Sequence, residues 1–113
     1  MSCLFCKIAA GEIPAKLVYE EKHIIAFHDI APQAPHHILI IPRKHIATIN
    51  DIQLEDNELI GDMMLVAKKL AADLKMADPG YRVIMNCNQN GGQAVYHIHF
   101  HLLGGRQMGW PPG

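Results

Sequence analysis

Apolar positions alternate with polar ones, or gather in short runs, along most of the chain. One longer stretch repeats them at helical steps. Residues 16–20 and 23–29 predict two strands, and Glu21-Lys22 is short enough to join them as a hairpin. Residues 36–42 predict a third strand, whose continuous run Ile38-Leu39-Ile40-Ile41 implies burial on both faces. Pro32 and Pro35 keep the preceding segment out of a regular ladder. Residues 54–76 predict the long helix: Leu59, Met63, Val66, Leu70 and Leu74 recur at three- and four-residue steps, and Asp78-Pro79-Gly80 is the expected stop. Residues 81–87 and 95–103 predict two more strands around the polar, glycine-bearing loop 86–93. Short strands with hairpin-length links around a single long helix define an antiparallel α+β fold. A parallel sheet would need more crossover helices.

Composition narrows the class. The chain has 113 residues, 50% of them apolar and 19% charged, which suits one ordered domain spanning 1–113. Ten basic residues against eleven acidic ones give a net charge of -1, so no basic footprint for nucleic acid is present. No apolar run approaches the roughly 20 residues of a membrane span. The opening Met1-Ser2-Cys3-Leu4-Phe5-Cys6 lacks the basic and long apolar regions of a signal peptide, so a cytoplasmic protein is expected. Against only 3 Phe and 3 Tyr there are 8 His, which directs attention to histidine chemistry.

Three cysteines make a disulfide framework improbable on parity alone. Cys3 and Cys6 have the C-x-x-C spacing that suits two thiolates on one Zn²⁺, but a tetrahedral site needs two further ligands, which here would be histidines. The same pair also reads as two small buried hydrophobes. A redox role would call for an adjoining βαβ pattern, which is missing.

His97, His99 and His101 alternate with Ile98, Phe100 and Leu102. In a strand the three imidazoles share one face, with neighbours roughly 6.6 Å apart, too far for one metal to hold all three. Two of the three could still share an ion. Imidazole is both nucleophile and proton carrier near neutral pH, so such a row suits attack on phosphorus and binding of phosphoryl oxygens. The loop Gly91-Gly92-Gln93-Ala94 could add backbone N–H groups in a nest. Neither a P-loop nor an acidic cluster for Mg²⁺ is present, so the residues point to phosphoryl or nucleotidyl transfer without a catalytic metal.

His97-Ile98-His99-Phe100-His101-Leu102-Leu103 resembles the histidine-triad motif. The likeness extends to Glu12-Ile13-Pro14-Ala15-Lys16, Ala26-Phe27-His28-Asp29-Ile30, Gly91-Gly92-Gln93, Leu103-Gly104-Gly105-Arg106-Gln107-Met108 and the closing Trp110-Pro111-Pro112-Gly113. Together these are similar to the nucleotide-binding branch of the histidine-triad family, the purine nucleoside phosphoramidases. The resemblance implies a five-stranded antiparallel sheet with one long helix and a short N-terminal helix, continued across a two-fold homodimer. It also implies hydrolysis of the P–N bond between a purine nucleotide, AMP or GMP, and an amine.

By the same resemblance His99 is the nucleophile, His101 contacts the phosphate, His97 supports the strand, and His37 is the fourth histidine of the site. Asp29 would hold the ribose hydroxyls, and Leu4, Phe5, Ile8, Phe27, His28 and Ile30 the base. Asn86, Gly92, Gln93 and Ala94 would lie on the phosphate side. Ala94 stands where the best-known eukaryotic members carry a serine that can bond near the leaving group. Zinc-bearing relatives match Cys3, Cys6, His45 and His97, which implies a structural zinc, with none needed for catalysis. Two other activities fit a chain of this kind: nucleotide binding with little turnover, and hydrolysis of dinucleoside polyphosphates.

Overall fold

The computed structural model describes residues 3–113. Five strands, β1 (Leu17–Glu20), β2 (Ile24–His28), β3 (His36–Pro42), β4 (Tyr81–Ile84) and β5 (Phe100–Gly104), form one sheet in the order β1-β2-β3-β5-β4. Every pairing is antiparallel. Helix α1 (Leu4–Ala9) packs on one face of the sheet and α2 (Asn57–Asp73) on the other. No helix among the described residues is long and apolar enough to cross a membrane.

The continuous apolar run of β3 is explained by this sandwich. Ile38 and Ile40 join Ile24, Ala26, Phe100 and Leu102 against Met63, Val66, Ala67 and Leu70 of α2. Leu39 and Ile41 point the other way, with Ile25 and Phe27, onto Phe5 of α1. Burying each such large side chain contributes about 1.5–3 kcal/mol relative to exposure.

Four elements differ from the sequence pattern. The long helix is shorter at both ends: residues Leu54–Asp56 form a 3-10 turn, and α2 ends at Asp73, before the Asp78-Pro79-Gly80 stop. Lys75 takes a left-handed conformation (φ 62°), while Met76 N–H donates to the Ala71 carbonyl at 2.8 Å and Lys75 N–H to that of Ala72 at 3.0 Å. This paired closure ends a helix without glycine because Met76, 3% exposed, turns into the core. The polar loop holds a short helix, α3 (Asn88–Gly91), and β4 stops at Ile84 rather than at residue 87.

The largest difference is in β5, expected over residues 95–103, which joins the ladder only at Phe100 although residues 97–102 alternate. The reason lies across the sheet. Ile40 pairs with Phe100, so the next bond would need Pro42, which has no N–H. Ile98 N–H donates instead to the carbonyl of Ile46, at 2.8 Å. His97 and His99 therefore precede the regular strand, yet Ile98, Phe100 and Leu102 remain buried as the alternation requires.

Candidate functional site

A cleft of about 1170 Å³ opens on the α1 face of the sheet. Leu4, Phe5 and Ile8 of α1, with Phe27 and Ile30, form its apolar wall. His28 and Asp29 continue that wall, and His37, His99 and His101 lie together beside Asn86, Gly92 and Ala94. Of the residues expected around a nucleotide, Gln93 alone does not line the cleft. It is buried, its amide Nε2 donates to the carbonyls of Ala47 (2.7 Å) and Val95 (3.1 Å), and its Oε1 accepts from Asn88 N–H (2.8 Å). Gln93 thus braces the loop.

The expected nest also differs. Gly92 N–H donates to Gln89 and Gln93 N–H to Asn88, closing α3, so these two amides are already occupied. Ile13, Pro14, Ala15 and Lys16 also border the cleft. The sequence carried no chemical signal for them beyond the shared Glu12-to-Lys16 segment.

The histidine rings converge more than a flat strand allows: His99 and His101 have centroids 4.9 Å apart, and His37 and His101 5.1 Å. Hydrogen bonds fix which nitrogen of each ring carries the proton. Gln33 N–H donates to His37 Nδ1 at 3.0 Å, so neutral His37 holds its proton on Nε2. His37 Nε2 then donates to His101 Nδ1 at 2.8 Å, which places the proton of His101 on its own Nε2. His99 Nδ1 donates to the backbone carbonyl of His97 at 2.8 Å, leaving Nε2 with a lone pair. His97 Nε2 donates to the carbonyl of Pro42 at 2.7 Å, leaving Nδ1 with one.

Burial favours the neutral rings. It lowers the pKa of His99 and of His37, with the Asp29 carboxylate opposing more weakly. His101 is pushed down to about 4, by burial first and then by His99 and His37. A neutral His99 with a free Nε2 is a competent nucleophile, and His101 Nε2–H is a donor. Asp29 Oδ1 accepts from Ala31 N–H at 2.8 Å, and Oδ2 lies 3.5 Å from His37 Nε2.

Two clusters have ligand atoms within 4.8 Å of one another, and their tautomers separate them. In Asp29–His37–His101, His37 Nδ1 already accepts a backbone N–H, so its Nε2 is protonated and cannot ligate. In Cys3–Cys6–His45–His97 the Nδ1 lone pair of His97 faces the other three donors. Its Nδ1 lies 3.4 Å from Cys3 Sγ, 3.5 Å from Cys6 Sγ and 3.3 Å from His45 Nδ1. Ordinary Zn–N and Zn–S bonds give tetrahedral edges of about 3.3 Å between nitrogens and about 3.5 Å between nitrogen and sulfur. The donor set therefore fits a tetrahedral zinc. Burial, with Cys3 close by, raises the Cys6 pKa, so a metal must displace protons to bind.

A five-stranded antiparallel sheet carrying converged histidines over an apolar cleft defines a histidine-triad architecture. The chain belongs to the HIT domain family, whose pattern matches residues 10–108. It is 53% identical over 106 residues to the purine nucleoside phosphoramidase of Escherichia coli K12, covering 94% of this chain and 89% of that protein. The HIT family hydrolase of Legionella pneumophila Philadelphia 1 superposes with a TM-score of 0.98 at 62% identity, covering 99% of this chain and all of that one. A histidine triad protein from Clostridium difficile gives 0.93 at 42% identity, covering 96% of this chain and 95% of that one.

Proposed function

We infer that this chain is a hydrolase that cleaves the P–N bond of purine nucleoside 5′-phosphoramidates. The observation that carries this reading is the free Nε2 of His99, held neutral and oriented in a cleft lined by both an apolar wall and His101. The likeness to the E. coli phosphoramidase supports the substrate class.

In this reading the purine lies against Leu4, Phe5, Ile8, Phe27, His28 and Ile30, and Asp29 accepts from the ribose hydroxyls. Asn86, Gly92 and Ala94 border the phosphate, and Gln93 holds their loop. His99 Nε2 bonds to phosphorus as the P–N bond breaks, and the departing amine takes a proton from solvent. His101 Nε2–H donates to a phosphoryl oxygen and stabilises its charge in the transition state. Water then attacks phosphorus, giving its hydroxyl to phosphorus and a proton to solvent. The bond to Nε2 breaks and free nucleotide is released.

Cys3, Cys6, His45 and His97 would hold zinc in a closed four-ligand shell, where its contribution is structural. A two-fold homodimer would continue the sheet through the β4 edge, where Tyr81 is exposed, as Met64 and Leu65 are on α2. The absence of a basic surplus fits a small nucleotide substrate rather than a nucleic acid, and a cytoplasmic site of action suits the free thiols.

The test is a rapidly quenched reaction with an AMP–amine conjugate, followed by intact mass. Wild type should show a nucleotidyl adduct and release AMP. His99→Gly should lose both, with turnover down by at least about three orders of magnitude. Equal activity in the two proteins would refute the mechanism.

A further inference from the structure

The tautomer of the His37–His101 pair is set from outside the cleft. His37 Nδ1 accepts from the backbone N–H of Gln33, and the carbonyl of Gln33 accepts from Arg106 Nε at 3.1 Å. Arg106 follows the end of β5. Gly105 there has φ 92°, and a Cβ at that position would come within 2.8 Å of Pro35 Cβ. Only glycine lets the chain turn so closely over the 32–35 loop, and that turn carries the guanidinium to Gln33. The loop is further tied by Gln33 Nε2, which donates to the Ala31 carbonyl at 2.9 Å.

We propose that Arg106 is a positioning residue: by holding the Gln33 carbonyl it keeps the Gln33 amide aimed at His37 Nδ1, and thereby keeps the protons of His37 and His101 on their Nε2 atoms. The role follows from the order of the bonds. Without the Gln33 donor, His37 can place its proton on Nδ1, and its Nε2 then accepts rather than donates. His101 Nδ1 would have to supply the proton between the two rings, and His101 Nε2 would turn from donor to acceptor. A phosphoryl oxygen would meet a lone pair where it should meet N–H. Arg106 and Gln33 are both exposed and neither side chain borders the cleft, so neither contact serves substrate binding directly.

The consequence for turnover rests on the phosphoramidase reading, whereas the consequence for the rings does not. The test compares Arg106→Ala and Arg106→Lys with wild type, by ¹⁵N spectra of the histidine rings in the free protein and by steady-state kinetics with an AMP–amine conjugate. In Arg106→Ala the His37 and His101 signals should move from the pure Nε2–H form toward a tautomer mixture, while those of His99 stay as they are. The kcat should fall by about 3- to 10-fold, the effect of one hydrogen bond, with KM unchanged. Arg106→Lys, which restores a cationic donor, should recover most of both. Unaltered His37 and His101 ring signals in Arg106→Ala would overturn the proposal, as would a Lys variant no better than Ala. If wild type fails to turn over the conjugate, the phosphoramidase reading falls, and the ring spectra alone still decide the role of Arg106.

Discussion

Phe5 stands edge-on to His99, with ring centroids 5.0 Å apart, and edge-on to His97 at 6.0 Å. It lies between Cys3 and Cys6 in sequence. One aromatic ring therefore joins the Cys3–Cys6–His45–His97 cluster, the wall of the cleft and the proposed nucleophile. Cys3 also caps α1, its Sγ accepting from Cys6 N–H at 3.3 Å.

Removing the cluster should loosen that wall. Metal analysis after dialysis should find close to one zinc per chain in wild type and none in a Cys3→Ser, Cys6→Ser double variant. Because α1 carries Leu4, Phe5 and Ile8, the double variant should bind AMP about 10-fold more weakly by calorimetry. Zinc retained at full stoichiometry would refute the ligand set.

Phe5→Ala tests the packing by itself. The side chain is 4% exposed, and its loss should cost about 3–5 kcal/mol in urea unfolding. A cost under about 1 kcal/mol would mean that α1 contributes little to the fold.

The histidine environment predicts a pH dependence with a definite sign. His101 is pushed down to about 4, and burial lowers His37 and His99 in the same direction. An unfolded histidine titrates near 6.5, so between these limits the unfolded chain binds more protons than the folded one. Stability contributed by these rings is fully present above about pH 6.5 and is lost as pH falls toward about 4. Urea midpoints should decline from pH 7 to pH 5. The acid limb of kcat/KM should lie below the ordinary histidine value. A limb at or above 6.5 would contradict the neutral pair.

Ala94 borders the cleft without a polar group. Ala94→Ser places a hydroxyl there, and one added hydrogen bond near the leaving amine should raise kcat by about 2- to 10-fold. The gain should be largest for strongly basic amines, whose departure depends most on protonation. Equal kcat across a series of amines would remove the leaving group from the neighbourhood of residue 94.

Much of this was legible in the chain. The run Ile38-Leu39-Ile40-Ile41 announces a strand buried on both faces, and it lies between α1 and α2. The alternation from His97 to Leu102 correctly separates a histidine face from a core face. What alternation does not encode is where pairing begins. That depends on Pro42, 58 positions before Phe100, whose missing N–H becomes relevant only once the two strands are neighbours. Gln93 was expected on the phosphate side, and its bracing role was hidden for a similar reason, since its bond to Ala47 forms only on folding. The end of α2 was hidden because Lys75 adopts a conformation that sequence rules assign to glycine.

Pro42 has one further consequence. Because the ladder ends beside it, the segment bearing His97 and His99 is moored by an imidazole, a carbonyl and the Ile46 backbone rather than woven into the sheet. The reactive segment is in effect a fitting attached to a finished frame. Its alignment rests on those few bonds and on the burial of Ile98, not on ladder hydrogen bonds.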